Sequence, residues 1–297
     1  MVPGTQRNFV LDIHHYARLY TSIVTLSIAR MNSLLLVDPI YAIIAPSCSS
    51  QPFRKSAPAV SPKMRGRGRV WNGDMSIAEN LSRVRERISA AAARSGTDPE
   101  SISLVAVTKT VDVPRIQEAI QAGVTDIGEN YVQDSVVKFE TIGRAVRWHM
   151  IGHLQVNKVR HALPIFDLIQ SVDSINLAKE IGRRSLALGK VSRMLVEVNI
   201  SGEATKFGVQ PVDTLAFCEA VAGVEGVELA GLMGIAPFVD DPSAIRRSFA
   251  NLKALWDRLP AEHRKWLSMG MTSDFEIAIE EGSNMVRIGT AIFGPRG

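Results

Sequence analysis

The sequence predicts an α/β fold, a single (β/α)8 barrel of the TIM type with an extra N-terminal helix, over residues 75–297. Three observations lead there. From Met75 onward, eight short apolar runs alternate with helical patterns over about 220 residues, as such a barrel requires. The first run, "LVAVTK", continues into "TVDVP" without a glycine, whereas a doubly wound open sheet would place a Gly-rich phosphate turn there. Polar residues also collect at the C-terminal ends of the runs, among them Lys109, Asn130, His153, Ser171, Asn199, Thr272 and Thr290. That is the end at which barrels carry their chemistry.

Residues 1–74 read differently from the rest. The apolar runs "LYTSIVTLSIA" (19–29) and "LLLV" (34–37) are closed by Arg30 and Asp38. Both fall short of the roughly 18 residues that span a bilayer, and no convincing cleavage site for a signal peptide follows. "APSCSSQPFRKSAPAVSP" and "RGRGR" have the composition of disordered chain. This segment holds nine Lys/Arg against three Asp/Glu, while residues 75–297 hold 25 basic and 27 acidic residues. The net charge of +4 therefore belongs to the N-terminal segment, and the barrel has no excess that would grip phosphates along a duplex. The expectation is a disordered extension, foreign to a native protein that begins near Met75, with no membrane or nucleic-acid partner.

At Met75 the character changes. In "MSIAENLSRVRERISAAAARSG", Ser76 is a candidate N-cap, Ile77, Leu81, Val84 and Ile88 fall at helical spacing, and Gly96 is a stop. Strands are then expected at 104–109, 125–130, 147–152, 167–172, 193–200, 227–234, 265–272 and 285–290. Helices between them include 113–123, 174–189, 211–223 and 241–259. Cys48 and Cys218 lie in unrelated contexts and suggest no disulfide framework, which fits a reducing compartment such as the cytoplasm. His149 and His153 stand four apart, but Gly152 intervenes and no HExxH glutamate is present, so no metal site is expected. His153 is expected in a loop at the barrel mouth, and Glu280 and Glu281 on a solvated helix face.

Two places could carry chemistry. Alternation puts Val105, Val107 and Lys109 on one face of the first strand and Ala106 and Thr108 on the other. Barrel strands are buried on both faces, so parity leaves two readings open. Pointing outward, Lys109 is the first solvated residue after the strand. Pointing inward, its amine stands in an apolar mouth, where burial lowers a lysine pKa and favours Schiff-base chemistry. The second place is "VRIGTAIFG", where Gly289 and Thr290 lead from the last strand into a short helix. Glycine admits a ligand to the backbone, N–H groups at a helix start bind phosphate, and phosphate sites after strands seven and eight recur in barrels. Ser268 and Thr272 offer hydroxyls from strand seven on the face of Gly270, and Arg287 shares its face with Gly289.

Together "LVAVTK", "GENYVQ", "WHMIGHLQVNK", "VNISGEATKFG" and "LSMGMTSDFEIAIEEGSNMVRIGTAIFG" resemble the pyridoxal 5′-phosphate (PLP) homeostasis family, in order from about Met75 to Gly294. The resemblance implies a barrel like the N-terminal domain of alanine racemase, binding PLP at the strand ends. It implies that Lys109 forms the internal aldimine, that Gly289 and Thr290 hold the phosphate, and that Ser268 and Thr272 assist. Arg287 would face the pyridine nitrogen and Asn130 would line the pocket. Thr272 and Ser273 stand where the family usually has serine and aspartate. The function implied is a monomeric carrier that binds, buffers and delivers PLP to apo-enzymes, not an enzyme. The alternative is an amino-acid racemase, disfavoured because the chain stops soon after the last motif and the second domain of such racemases is not expected.

Overall fold

The computed structural model describes residues 75–203 and 205–295, so the expectation for residues 1–74 lies outside the described residues. Ser76 caps the first helix, α1 (Ile77–Ser95). Its hydroxyl accepts from the Glu79 amide while the Glu79 carboxylate accepts from the Ser76 amide, a reciprocal capping box. Gly96, at φ +66°, closes the helix in the left-handed conformation. The four apolar positions expected from spacing, Ile77, Leu81, Val84 and Ile88, are all buried. Each such side chain contributes about 1.5–3 kcal/mol of transfer free energy.

The barrel that α1 abuts is closed, parallel and wound in chain order. Its strands are β1 (Ser103–Val107), β2 (Asp126–Glu129), β3 (Arg147–Met150), β4 (Leu168–Val172), β5 (Ser192–Val198), β6 (Val227–Gly234), β7 (Trp266–Ser268) and β8 (Met285–Ile288). Around them run α2 (Val113–Gln121), α3 (Val132–Ile142), α4 (Val159–Ala162), α5 (Ile175–Ala187), α6 (Thr214–Ala222), α7 (Pro242–Asp257), α8 (Phe275–Glu280) and α9 (Thr290–Phe293). All eight expected strands are present. The last helix is a single turn, and α1 fills the space a full eighth helix would take. Arg87 and Arg94 bond to Glu276 and Glu280 of α8, the Asn80 amide donates to the Ile292 carbonyl of α9, and the Ile77 amide reaches Glu118 of α2.

The strands bury two sets of side chains. Val105, Leu168, Leu195, Ala230, Met233 and Met285 fill the lumen, whereas Ala106, Ile127, Ile169, Val196 and Ile288 join the larger core beneath the helices. That assignment settles the parity of β1, because Val105 lies inside and Ala106 outside. The strand most shortened relative to its expected run is β7, three residues against eight. β7 ends at Ser268 because Gly270 turns the chain at φ +95°, where a Cβ would come within 2.6 Å of the Ala278 Cβ. Thr272 therefore lies in the turn before α8, not on the strand.

Candidate functional site

The end of β1 is fixed from outside the barrel. Pairing with β2 continues one residue past the strand, through the Thr108 amide to the Gly128 carbonyl. The buried Thr108 side chain points outward and donates to Glu129 Oε1 at 2.7 Å. Lys138 of α3 reaches the same oxygen at 2.7 Å and the Thr108 carbonyl at 2.8 Å, through a nearly buried side chain. Lys109 follows in the turn just beyond β1, the strand whose Val105 faces the lumen, and is half-buried. Thr110 follows at φ +63°. A β-branched residue in the left-handed region costs about 1–2 kcal/mol, so the turn that presents Lys109 is strained and held by its surroundings.

On the neighbouring strand, Asn130 follows Glu129. Its backbone is approached so closely by Gly152 that a Cβ there would stand 2.5 Å from the Asn130 carbonyl oxygen. The side-chain Oδ1 of Asn130 is buried with no hydrogen-bond partner among the described residues. An orphaned acceptor beside the barrel mouth is what a proton-bearing ligand group would satisfy.

On the other side of β1, Arg287 of β8 pairs in register with Val105 and is 3% exposed. Its guanidinium donates to Ser268 Oγ at 2.7 Å and to the Gly234 carbonyl at 3.0 Å. Burial pulls its pKa down to about 10, with Glu197 and Asp274 acting against that shift, so it remains a cation at neutral pH. Ser268, expected beside the phosphate, is placed differently. It is fully buried in the lumen, and its one proton goes to Gln170 Oε1 at 2.7 Å. A hydroxyl has a single proton to donate, so Ser268 serves Arg287 and Gln170 instead of an anion.

Gly289, two residues beyond Arg287, precedes α9 and lies level with Val107. A Cβ on it would meet the Val107 Cβ and carbonyl oxygen, each at 3.3 Å. Thr290 is exposed at the first position of α9, and Thr272 is half-buried in the turn after β7. The seven residues singled out in the sequence thus lie on or just beyond four adjacent strands, β7, β8, β1 and β2, at one end of the barrel.

Residues that sequence reasoning missed complete the site. Glu197, 8% exposed at the end of β5, faces Arg287; burial pushes its carboxyl up to about 7, Arg287 opposes this, and Asp173 adds to it. Asp274 is also buried, which raises its pKa, while its carboxylate accepts from the Met271 amide at 2.6 Å. The signal for Glu197 was a charged residue inside the otherwise apolar "MLVEV". His153 lies at the mouth as expected, stacked on Phe207 at 4.0 Å with Nδ1 3.3 Å from Asp173. His149 is instead a strand residue in the lumen, and no metal-binding group of His, Cys, Asp or Glu occurs among the described residues. Glu280 and Glu281, expected to be simply solvated, both pair with Arg246.

Residues 79–297 match the alanine racemase N-terminal domain family. The chain is 41% identical over 226 residues to a pyridoxal phosphate homeostasis protein of Aquifex aeolicus, covering 75% of this chain and 99% of the relative. To the protein of that name from Escherichia coli K12 it is 42% identical over 228 residues, 74% of this chain and 97% of the relative. Among solved structures, PipY of Synechococcus elongatus PCC7942 with PLP bound aligns at 32% identity with a TM-score of 0.64. That alignment covers 74% of this chain and all of PipY.

Proposed function

The chain belongs to the pyridoxal phosphate homeostasis family, built on the alanine racemase N-terminal domain, and on that premise we propose that it binds, buffers and delivers PLP. PLP supplies, when bound, an aldehyde for a lysine amine and a phosphate for anchoring. One observation carries the assignment. Lys109 and Arg287 issue from hydrogen-bonded neighbours, β1 and β8, with Gly289 packed against Val107 between them. This neighbourhood supports an amine, a cation and a glycine cup serving one small phosphorylated aldehyde.

The residues divide the work. Lys109 captures the aldehyde reversibly, its turn clamped by Lys138 and Glu129. Gly289, Thr290 and Thr272 form the phosphate cup, and Asn130 offers its unpartnered acceptor. Arg287 faces the ring nitrogen. As a donor-only cation it cannot take that nitrogen's proton, which weakens PLP as an electron sink and favours holding over turnover. The named relatives are homeostasis proteins, which supports a carrier; the proposal extends to a monomer in the cytoplasm that supplies apo-enzymes. Among the described residues no helix is long and apolar enough to cross a membrane.

The test is titration of the apo-protein with PLP. Wild type is expected to gain a visible absorbance band that survives desalting, and Lys109→Ala to lose it with its far-UV circular dichroism unchanged. Incubation of the loaded protein with amino acids in deuterium oxide is expected to leave the α-hydrogen unexchanged; exchange would turn the assignment to a racemase.

A further inference from the structure

A chain of buried side chains crosses the barrel lumen from Arg287 on β8 to β4 opposite and returns through β3 to β2. Arg287 Nη1 donates to Ser268 Oγ at 2.7 Å, and Ser268 donates to Gln170 Oε1 at 2.7 Å. Gln170 Nε2 lies 2.9 Å from His149 Nδ1, and His149 Nε2 lies 2.9 Å from Asp126 Oδ1. Asp126 is closed off by a bidentate contact with Arg147, both distances being 2.7 Å. Every member from Arg287 to Asp126 is buried, and the links join β8, β7, β4, β3 and β2.

The chemistry of the two ends fixes the direction of each bond between them. Arginine can only donate, and an ionised aspartate can only accept. Burial alone would push the Asp126 carboxyl up, but hydrogen bonds from His149, Arg147 and Thr125 outweigh it and hold the group well below its ordinary range. Asp126 therefore requires a donor at His149 Nε2. With that tautomer, Nδ1 must accept, so Gln170 turns its NH2 to the histidine and its carbonyl to Ser268. Ser268 must then donate to Gln170, which leaves its lone pairs for Arg287. A second proton on His149 would set donor against donor at Gln170 and force the amide to flip.

We propose that Gln170 and His149 are positioning residues for Arg287, part of a one-directional relay that fixes the guanidinium against the ring of bound PLP from the far side of the barrel. Neither residue touches the cofactor in this account. They act through Ser268, which explains why that serine faces the lumen and not the phosphate cup. The inference rests on the reading of Arg287 as the residue at the ring nitrogen.

Three variants and one spectrum test it. In Gln170→Leu, Ser268 loses its acceptor, and the absorption maximum of bound PLP is expected to move while its Kd rises about tenfold, a 1.4 kcal/mol effect. His149→Phe, one link further away, is expected to move the maximum in the same direction by less. His149→Gln, which keeps a donor for Asp126 and an acceptor for Gln170, is expected to restore it. Nitrogen NMR of wild-type His149 is expected to show the Nε2–H tautomer without PLP and a shifted resonance on PLP addition, a readout that survives if a variant fails to fold. Folded Gln170→Leu and His149→Phe proteins with wild-type Kd and absorption maximum would overturn the relay alone, as would a His149 resonance indifferent to PLP. Wild type that acquires no PLP band at all would overturn the functional reading and the relay with it.

Discussion

Outside the barrel wall, Lys138 and Glu129 form a charged pair that grips the backbone of Thr108 and so places Lys109. Inside the lumen, four side chains, Ser268, Gln170, His149 and Asp126, continue a one-directional run of hydrogen bonds that places Arg287. The first assembly is local, joining α3 to the strand ends of β1 and β2, and it leaves Glu129 Oε2 buried with no hydrogen-bond partner among the described residues. The second is long and matched at each link, with unlike charges at its two ends. The contrast teaches how one fold can fix two strand-end cations by separate means. Lys109 stands in a turn that is held through the Thr108 backbone. The guanidinium that must stay still is held through its own nitrogens.

Breaking the wall pair should cost most. Lys138→Leu strands a buried carboxylate and is expected to lower unfolding free energy by about 3–5 kcal/mol in urea titrations. Because an apolar replacement of both partners removes the stranded charge, the double variant Glu129→Leu/Lys138→Leu should recover most of that loss while still loosening Lys109 and weakening PLP retention. A double variant as unstable as the single one would show that the pair is more than a local clamp.

The next effect belongs to the lumen mouth and is a dependence on pH. The Glu197 carboxyl is raised to about 7 by burial, so its neutral form is the one the folded state favours. Its contribution to stability is fully present below the unfolded value near 4.5 and is lost as pH rises towards 7. Glu197→Gln should remove that slope, making the apo-variant more stable than wild type above pH 7 by on the order of 2–3 kcal/mol. Parallel pH profiles of the two urea midpoints would mean that Arg287 keeps Glu197 ionised throughout. Ser268→Ala is expected to cost about 1–3 kcal/mol, the desolvation of one arginine donor and one Gln170 oxygen left unmatched. At the small end, Arg246→Ala removes exposed ion pairs with Glu280 and Glu281 and should shift stability by less than about 1 kcal/mol.

What could be read from the sequence follows the same division between local and long-range. The helix cap at Ser76, the apolar stripe of α1 and all eight strands were legible because each depends on neighbours in the chain. So were the strand ends near Lys109, Asn130 and Gly289 and the place of Arg287 within the last strand. The length of β7 was not, since the turn at Gly270 arises from its contact with Phe275 and Ala278. The partners of Ser268 were not legible for a related reason: Gln170 and Arg287 lie 98 and 19 positions away. His149, Gln170 and Glu197 lie inside otherwise mainly apolar strands, and Asp126 and Glu129 begin and end β2; those places were visible. Which of them meet across the lumen, and which face α3, required the closed barrel.

The most direct measurement is borohydride reduction of PLP-loaded wild type, followed by proteolysis and mass spectrometry of the labelled peptide. The account predicts one stable adduct, on Lys109, in the peptide that ends β1. A label on another lysine, or none, would contradict it.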